Sequence, residues 1–222
     1  MTRPIVGIAI AMSLSLAAPF SAQAQTRRGG TWEISGGGVF VGGFSFEQRT
    51  AELTSNAGGT FDFFSTEGEI KPVAGVRAKV GFFVTPSLAV EGGVRFTRPV
   101  FEVAITGDAE DAPDMTAQET LSQYLFDASA VWHFGNARAS GRRAVPFVYG
   151  GAGYLRELHE EDAFVEEGVE FHAGGGMKWW LGSARHLGVR ADVGISIRDG
   201  GVDYEDKRRL VPEAGGSVIW VF

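Results

Sequence analysis

The stretch from 187 to 198, LGVRADVGISIR, alternates apolar and polar side chains along its whole length. Leu187, Val189 and Ala191 begin one face, while Arg190 and Asp192 stand on the other. A two-residue period places successive side chains on opposite faces of an extended chain, whereas a helix needs a period of about 3.6 residues. The stretch therefore predicts a β-strand with one apolar and one charged face.

The same alternation recurs in eight runs, and no long apolar stripe with helical spacing interrupts them after the first two dozen residues. The runs lie near 32–45, 70–82, 88–97, 123–133, 145–156, 170–181, 187–198 and 210–222. In the second run the apolar face is assigned from Ile70 onward, opposite Lys71. In the fifth run the assigned apolar face consists of Val145, Phe147, Tyr149 and Leu155. Each run can supply the 9–11 residues that a tilted strand needs to cross a bilayer, roughly.

The connections between runs alternate in length. Short ones lie near 84–87, 135–144 and 182–186, and long ones near 47–68, 98–119, 157–168 and 199–209. Short turns at one end and long loops at the other are typical of outer-membrane barrels, with the turns facing the periplasm. Aromatic residues would then gather at both rims, as they do at membrane interfaces. The short-turn rim would hold Trp32, Phe82, Trp132, Phe134, Phe147, Trp179, Trp220 and Phe222, and the long-loop rim Phe44, Phe46, Phe96, Tyr124, Phe126 and Phe171.

The first residues carry the marks of an export signal. Arg3 supplies a positive start, residues 5–18 form an uncharged apolar run, and Ala22 and Ala24 flank Gln23 in a small-x-small cleavage pattern. The apolar run is short for a transmembrane helix, which is the alternative. We therefore expect a signal peptide at 1–24 and a mature chain at 25–222, exported to the outer membrane of a Gram-negative cell.

Composition narrows the classes of function. The chain has 20 basic and 27 acidic residues, a net charge of −7, and loss of Arg3 with the signal would make it −8. Such an acidic chain is a poor partner for nucleic acid. It contains no cysteine, so a disulfide framework and a thiolate metal site are both excluded. We expect neither a cofactor nor a bound metal.

The charged face of each run must point inward if lipid surrounds the sheet, and closure without an edge satisfies the backbone in lipid. The fold class is accordingly all-β, an eight-stranded antiparallel up-and-down transmembrane β-barrel. A soluble barrel or sandwich with the apolar face inward would show the same alternation, and it stays the alternative. The export signal, the aromatic rims and the loop asymmetry favour lipid.

Charges on the polar faces are the candidate functional residues, because an eight-stranded barrel is just wide enough to be filled by side chains. Folding about Thr85 and Pro86 would place Lys79 opposite Glu91. A turn near Ala184 would place Lys178 opposite Arg190, a like-charge contact that requires Asp192, Asp127 or Glu213 nearby. The predicted lumen network consists of Lys79, Glu91, Arg95, Asp127, Lys178, Arg190, Asp192 and Glu213. It would either plug the bore or form a gate or narrow ion path, and the plug is the simpler interpretation because unpaired buried charges are costly.

The long connections are acidic. One contains Asp108, Glu110, Asp111 and Asp114, and another Glu157, Glu160, Glu161, Asp162, Glu166 and Glu167. They could hold divalent cations, but they lack the spacing of an EF-hand, so a solvated surface is the preferred interpretation. Near the short turns stand the basic residues Arg138, Arg142, Arg143 and Arg185. Phe61, Phe63 and Phe64 form either a contact surface or, preferably, a strand extension packed on its neighbour.

Three segments carry a resemblance to a known family: VPFVYGGAGYLRE from 145, FHAGGGMKWWLG from 171 and GGSVIWVF from 215. Over roughly residues 32–222 the chain resembles the small outer-membrane β-barrels typified by the OmpA transmembrane domain. The resemblance implies that Trp220 and Phe222 form a terminal signal for the barrel-assembly machinery. Ser217 stands where the family prefers glycine, with Gly216 one place away.

Catalysis is not expected. Some small barrels are lipid-modifying enzymes, and the deacylases among them use a His-x-Ser pair. The histidines are His133, His159, His172 and His186, and none is followed two residues later by serine. The expected function is structural or interactive, with outer-membrane lipid, lipopolysaccharide and an extracellular ligand at the long loops as partners. The alternatives are a small pore or a route for an apolar solute, and, further behind, a lipid-modifying enzyme.

Overall fold

The computed structural model describes residues 29–54, 58–109, 113–134, 144–159, 165–181, 186–201 and 208–222, and in these ranges all regular structure is β-strand. The segments 1–28, 55–57, 110–112, 135–143, 160–164, 182–185 and 202–207 lie outside the described residues. The strands are β1 Thr31–Val41, β2 Phe44–Ser45, β3 Arg49–Thr54, β4 Thr60–Ile70, β5 Val73–Phe83, β6 Leu88–Thr97, β7 Val100–Thr106, β8 Met115–His133, β9 Ala144–His159, β10 Val165–Leu181, β11 Leu187–Gly200 and β12 Arg209–Val221. None of the described residues belongs to a helix that could span a membrane.

Eight of these strands close into a barrel. The antiparallel pairs run from β1 to β5, β6, β8, β9, β10, β11 and β12 in turn, and β12 pairs back with β1. The closing pair aligns Glu33 with Val221 and Val41 with Glu213. Closure leaves no sheet edge in the barrel wall, as lipid requires of a spanning sheet. The predicted eight-stranded antiparallel barrel is confirmed.

The wall continues beyond the barrel on one side as a second sheet, which we call the extension. It consists of β2, β3, β4, β7 and residues 115–120 of β8. β4 leads into β5, and β6 into β7, across two-residue breaks at 71–72 and 98–99. Most of the predicted long loops at 47–68 and 98–119 are therefore strands, which sequence patterning missed because Pro72 and Pro99 interrupt the alternation. Phe61, Phe63 and Phe64 lie in β4, so the strand interpretation of that segment is confirmed.

The outer surface of the barrel is apolar. Its rim at the short-turn end, where the 84–87 turn lies, carries outward-facing Trp32, Trp132, Phe134, Trp179, Trp220 and Phe222. The rim at the opposite, long-loop end carries Phe40, Tyr124, Phe126 and Phe171. Between the rims lie exposed aliphatic side chains such as Val193, which is 65% accessible. The protein is therefore apolar outside and charged inside, as the lipid interpretation predicts.

The prediction for the fifth run was wrong. Val145, Phe147 and Leu155 are buried inside the barrel, and Val148, Tyr154 and Arg156 face outward. Both faces of β9 carry large apolar side chains, so alternation by itself could not show which face points to the lipid and which to the lumen. The burial places Phe147 in the lumen rather than on the short-turn rim.

The predictions for Ile70, Lys71 and Phe46 were also wrong. Ile70 is buried with Phe46 and Phe101, whereas Lys71 is on the outer surface with Glu69 at 2.6 Å from its Nζ. The break at Lys71 and Pro72 shifts the alternation, so β4 and β5 do not share one apolar face. Phe44 packs on the same cluster and is only partly exposed.

The polarity of the wall inverts across the breaks. In the barrel the outer face is apolar, but in the extension the inner face holds Phe101, Val103 and Ile105, and the outer face holds Glu102. Gln118 Nε2 donates to Glu102 Oε2 at 2.7 Å, next to Lys71 and its neighbours. A polar outer face is expected where water, rather than lipid, surrounds the protein. The breaks therefore indicate the level at which the hydrocarbon ends.

Candidate functional site

All eight residues of the predicted network point into the lumen, and each has an ionic partner there. Lumen charges that the prediction left out include Glu33, Arg77, Glu170 and Arg198. They stand on the polar faces of their strands, but nothing local distinguished them, because the partners come from strands far apart in sequence.

Lys178 stands directly opposite Arg190, as predicted. Two carboxylates relieve the like-charge contact. Glu91 lies 2.8 Å from Arg190 Nη1 and 3.5 Å from Lys178 Nζ, and Glu33 lies 2.5 Å from Lys178 Nζ. Lys178 has no accessible side-chain surface, so its ammonium depends on these partners. The predicted relief from Asp192 is also present, at 3.0 Å from Arg190 Nε.

The predicted pair of Lys79 with Glu91 was wrong. Glu91 aligns with Gly81, and Lys79 aligns with Gly93 and reaches Asp127 at 3.3 Å. The Val84 amide donates to the Leu88 carbonyl, so the hairpin turn is centred on Pro86. The expected turn lay about Thr85 and Pro86, and the register of β5 against β6 is shifted accordingly. A side chain on Gly93 would meet Asp127 Oδ2 at 2.7 Å, so the glycine makes room for the pair.

Asp192 joins the two halves of the network. Arg77 donates to both of its oxygens, at 2.8 and 2.5 Å, and Arg190 approaches from the other side. Bidentate guanidinium contacts of this kind fix both position and orientation. Gly215 lies against the Arg77 guanidinium: a Cβ on Gly215 would lie 2.5 Å from Arg77 Nη2. Arg77 can therefore occupy its position only because Gly215, across the lumen, has no side chain.

The part nearer the long-loop end is organised by Glu170. Its Oε2 accepts from Arg95 at 2.8 Å and from Arg198 at 2.9 Å, and Arg95 also donates to Glu213 at 2.8 Å. Beyond them Thr97 donates to Gln123 at 3.1 Å, and Gln123 donates to Glu157. Glu157 was predicted in a solvated loop, but it is buried at the end of the lumen.

Apolar clusters close the lumen on both sides of the charges. At the short-turn end the clusters consist of Phe83, Ala89, Val131 and Phe147, and of Val145, Trp180, Ile219 and Val221. At the long-loop end they consist of Phe46, Ile70, Phe101 and Leu121, and of Val39, Val41 and Val211. The charged layer is therefore enclosed between two apolar layers.

Little space is left among the charges. A cavity of about 20 Å³ is lined by Arg77, Lys79, Arg95, Leu125, Asp127, Tyr149, Glu170, His172 and Glu213. A water molecule needs about 10–15 Å³ measured in this way, so the cavity has room for one or two. It is not a continuous path for ions.

Ser129 and His172 meet in this layer, with Ser129 Oγ 2.8 Å from His172 Nε2. The two residues are 43 positions apart, so no local motif could indicate the pair. A catalytic histidine is usually oriented by a carboxylate on its second nitrogen. Here His172 Nδ1 has no hydrogen-bond partner within the described residues, and the nearby Asp127 lies 3.5 Å from Ser129 Oγ instead. The geometry is that of a lumen contact, without the third member of a triad.

The remaining predicted residues either face outward from the barrel or lie outside the described residues. Trp220 and Phe222 face outward at the short-turn rim, and their role in assembly stays a prediction. Ala22 and Ala24, the four arginines near the short turns, and the acidic residues Glu110, Asp111, Glu160, Glu161 and Asp162 lie outside the described residues.

No family model and no curated protein matches the chain. The solved structures with a similar fold include those of two outer-membrane proteins. The crystal structure of Neisserial surface protein A has a TM-score of 0.54 at 11% identity, covering 87% of this chain and 99% of that one. The crystal structure of the outer membrane protein OprG from Pseudomonas aeruginosa has a TM-score of 0.55 at 10% identity, covering 88% and 97%. The predicted resemblance to small outer-membrane barrels is confirmed for the fold.

The closed barrel, its apolar belt and its charged interior define the class of protein: this chain is an eight-stranded β-barrel of the Gram-negative outer membrane. Barrels of one fold serve different functions, so the particular function depends on this chain's own lumen and extension.

Proposed function

We propose that the protein is a non-conducting membrane anchor that holds the extension outside the cell for interaction with a partner. The observation that carries the proposal is the closed lumen. In its charged layer, a carboxylate lies within 4.0 Å of each of Arg77, Lys79, Arg95, Lys178, Arg190 and Arg198. Apolar clusters cover this layer at both ends. A conducting pore would need a continuous hydrated path instead.

The extension supports the interactive part of the proposal. Its segments are hydrogen-bonded strands rather than loose loops, so they present a fixed surface to a partner. The polar outer face around Glu102 and Gln118 indicates that this surface stands in water. Outer-membrane lipid at the apolar belt, lipopolysaccharide at the long-loop rim and the assembly machinery at Trp220 and Phe222 are the other proposed partners.

Planar-bilayer recording tests the closed lumen. Folded protein reconstituted in a bilayer should show no steady or stepped current across a wide voltage range, while an open porin inserted by the same procedure conducts. Insertion is checked independently by protease protection of the reconstituted barrel. Reproducible unit currents from inserted protein would contradict the proposal and support the small-pore alternative.

A second candidate function is the binding of an apolar solute. The inner face of the extension supports it, since Ile105 and Met115 pair across β7 and β8 and Met115 is 68% accessible. Uptake of a radiolabelled long-chain hydrocarbon by cells with and without the protein tests it. A Met115→Asp substitution should abolish uptake if this face is the route, and equal uptake in all strains would exclude the candidate.

The proposal assigns no catalytic role to Ser129 and His172. The pair lies in the enclosed layer beside a cavity too small for a lipid, and His172 lacks an orienting carboxylate. Mass spectrometry of lipid A from expressing cells should show no new species. Lipid A that changes with the wild type but not with Ser129→Ala would overturn this part.

A further inference from the structure

His159 is the last residue of β9 and lies at the long-loop end of the lumen, between Glu119 of β8 and Glu166 of β10. Its side chain is 13% accessible, and the side chains of the two glutamates are 29% and 32% accessible. The pairing of β9 with β8 ends at this histidine, opposite Leu121. The three side chains therefore meet at the mouth of the barrel, where β9 ends.

The hydrogen bond to Glu119 determines which ring nitrogen carries the hydrogen. Nδ1 of His159 lies 2.8 Å from Glu119 Oε1. An ionised carboxylate has no hydrogen to donate, so Nδ1 is the donor of this bond. A neutral imidazole has one N–H group, and its other nitrogen is an acceptor. In the neutral ring, Nε2 is therefore an acceptor without a hydrogen.

This second nitrogen faces another acceptor. The distance from His159 Nε2 to Glu166 Oε2 is 3.7 Å, which is too long for a hydrogen bond. Both atoms are shielded from solvent, and neither has a hydrogen-bond partner among the described residues. Two enclosed acceptors that face each other are unfavourable, because buried polar atoms are normally satisfied. A proton on Nε2 removes the mismatch, since it makes that nitrogen a donor and gives the ring a positive charge.

The charged groups that face His159 are acidic. Glu119 comes from β8, Glu166 from β10 and Glu157 from β9 itself, two positions back on the same lumen face. Glu157 has its own partner, since it accepts a hydrogen bond from Gln123. Among the described residues, the ring is the only basic group within 4.0 Å of either Glu119 or Glu166. The charge state of these two glutamates' surroundings therefore depends on the ring.

We propose that His159 is a proton-operated clasp: with a proton on Nε2 it joins Glu119 of β8 to Glu166 of β10, and without that proton it releases Glu166. An imidazole ordinarily changes charge between about pH 5 and 8, where a glutamate is mostly ionised. The ring is therefore the group that switches, and the carboxylates are its constant partners. A hydrogen bond between charged groups is roughly twice as strong as a neutral one, so the protonated clasp holds the strands together.

The clasp acts on the ends of three strands. Leu158 and Val165 form the last described pair of β9 with β10, and each is next to a member of the clasp. Closing the gap between His159 and Glu166 fastens this end of the pair, and the bond to Glu119 connects it to the part of β8 that enters the extension. The proposed function places this mouth outside the cell, so the proton comes from the external medium. That choice of side, but not the clasp, rests on the proposed function.

Nitrogen-15 nuclear magnetic resonance of the refolded full-length chain in detergent micelles tests the protonation. The ring resonances distinguish the Nδ1–H tautomer, the Nε2–H tautomer and the imidazolium. His159 should be the Nδ1–H tautomer at pH 8.0 and the imidazolium at pH 5.5. A neutral ring at both values, an imidazolium at both, or the Nε2–H tautomer at pH 8.0 would overturn the proposal. Both ends of the barrel are accessible in micelles, so the outcome does not depend on which end faces outward in the cell.

Amide hydrogen exchange measures the effect on the strands. After correction for the intrinsic pH dependence of exchange, protection at 157–159 and 165–167 should be about 3- to 10-fold higher at pH 5.5 than at pH 8.0. Glu166→Gln should abolish this difference because an amide cannot form the ion pair, and His159→Ala should abolish it because the ring is gone. The alanine variant also identifies the resonances of His159 among the four histidines.

Two matched variants serve as controls. His186→Ala removes an imidazole at the short-turn end, where Nδ1 contacts the Val221 carbonyl, and Glu102→Gln removes an acid on the outer face of the extension. Both should keep the wild-type pH dependence at the ends of β9 and β10. The heat-dependent gel shift of every variant confirms folding. A pH difference that is absent from folded wild type, or that survives in folded Glu166→Gln, would contradict the clasp.

Discussion

Glu91 is the residue on which the short-turn half of the lumen network depends. It stands between Arg190 and Lys178, which face each other directly. In Glu91→Gln both cations lose a carboxylate, although Glu33 and Asp192 remain, so we expect a loss in unfolding free energy of about 2–4 kcal/mol. Urea titration of vesicle-reconstituted protein, followed by tryptophan fluorescence, measures it.

The control for this prediction is Glu69→Gln, which removes an exposed ion pair with Lys71. Exposed pairs contribute less than about 1 kcal/mol. If both variants lose the same stability, the burial of Glu91 has no special effect and the network argument fails.

Neighbouring glycines in β1 give a second prediction at this scale. A Cβ on Gly37 would lie 2.0 Å from the Gly216 carbonyl oxygen, whereas a Cβ on Gly36 meets nothing within 4 Å. Gly37→Ala should therefore destabilise the barrel by about 1–3 kcal/mol or prevent closure, because the obstacle is backbone. Gly36→Ala should change stability by less than about 0.5 kcal/mol. The same urea titration compares them, and equal stabilities would show that β1 and β12 are not as close as described.

At the scale of elements, the extension and the barrel wall should differ in accessibility. The chain has no cysteine, so single introduced thiols report their own surroundings. Thr116→Cys, on the outer polar face of β8 in the extension, should react with a membrane-impermeant maleimide on intact cells. Val193→Cys should not react, although its side chain is 65% accessible, because lipid covers the belt.

Mass spectrometry of the labelled protein gives the extent of reaction. Labelling of Val193→Cys on folded protein would mean that water reaches the belt, and a protected Thr116→Cys would place the extension in lipid or in the periplasm. Detergent-solubilised, heat-unfolded samples of both variants, which should label fully, serve as the control.

At the scale of the whole molecule, the lumen is closed by three successive layers, so loss of one apolar layer should not open it. Phe101→Ala removes a large ring from the long-loop cluster, and Phe83→Ala one from the short-turn cluster. Each variant should stay electrically silent in planar bilayers while losing about 3–5 kcal/mol of stability. Current through either single variant would show that the charged layer does not close the bore by itself.

The molecule as a whole shows where local patterning succeeds and fails. Alternation in β6, β8, β10, β11 and β12 predicted the correct faces, because within the predicted runs their charged residues stand on one face only. It failed in β9, where inward Phe147 and outward Val148 are equally apolar, and at Pro72, where a break reverses the faces of β4 relative to β5. The eight predicted lumen charges point inward, but the actual partners of Lys79 and Arg95 come from distant strands and could not be predicted.

The sequence by itself determined that this chain forms a sheet of strands with one apolar and one charged face, because a two-residue period is a local property of each segment. Only the tertiary structure decided which charges meet, which apolar residues close the lumen, and that β2, β3, β4, β7 and the start of β8 form an extension. These features depend on register and closure, which bring together residues far apart in the chain, such as Glu33 and Lys178 at a separation of 145 positions. The pairing of His159 with Glu119 and Glu166 belongs to the same level, since it joins three strands and no single segment encodes it.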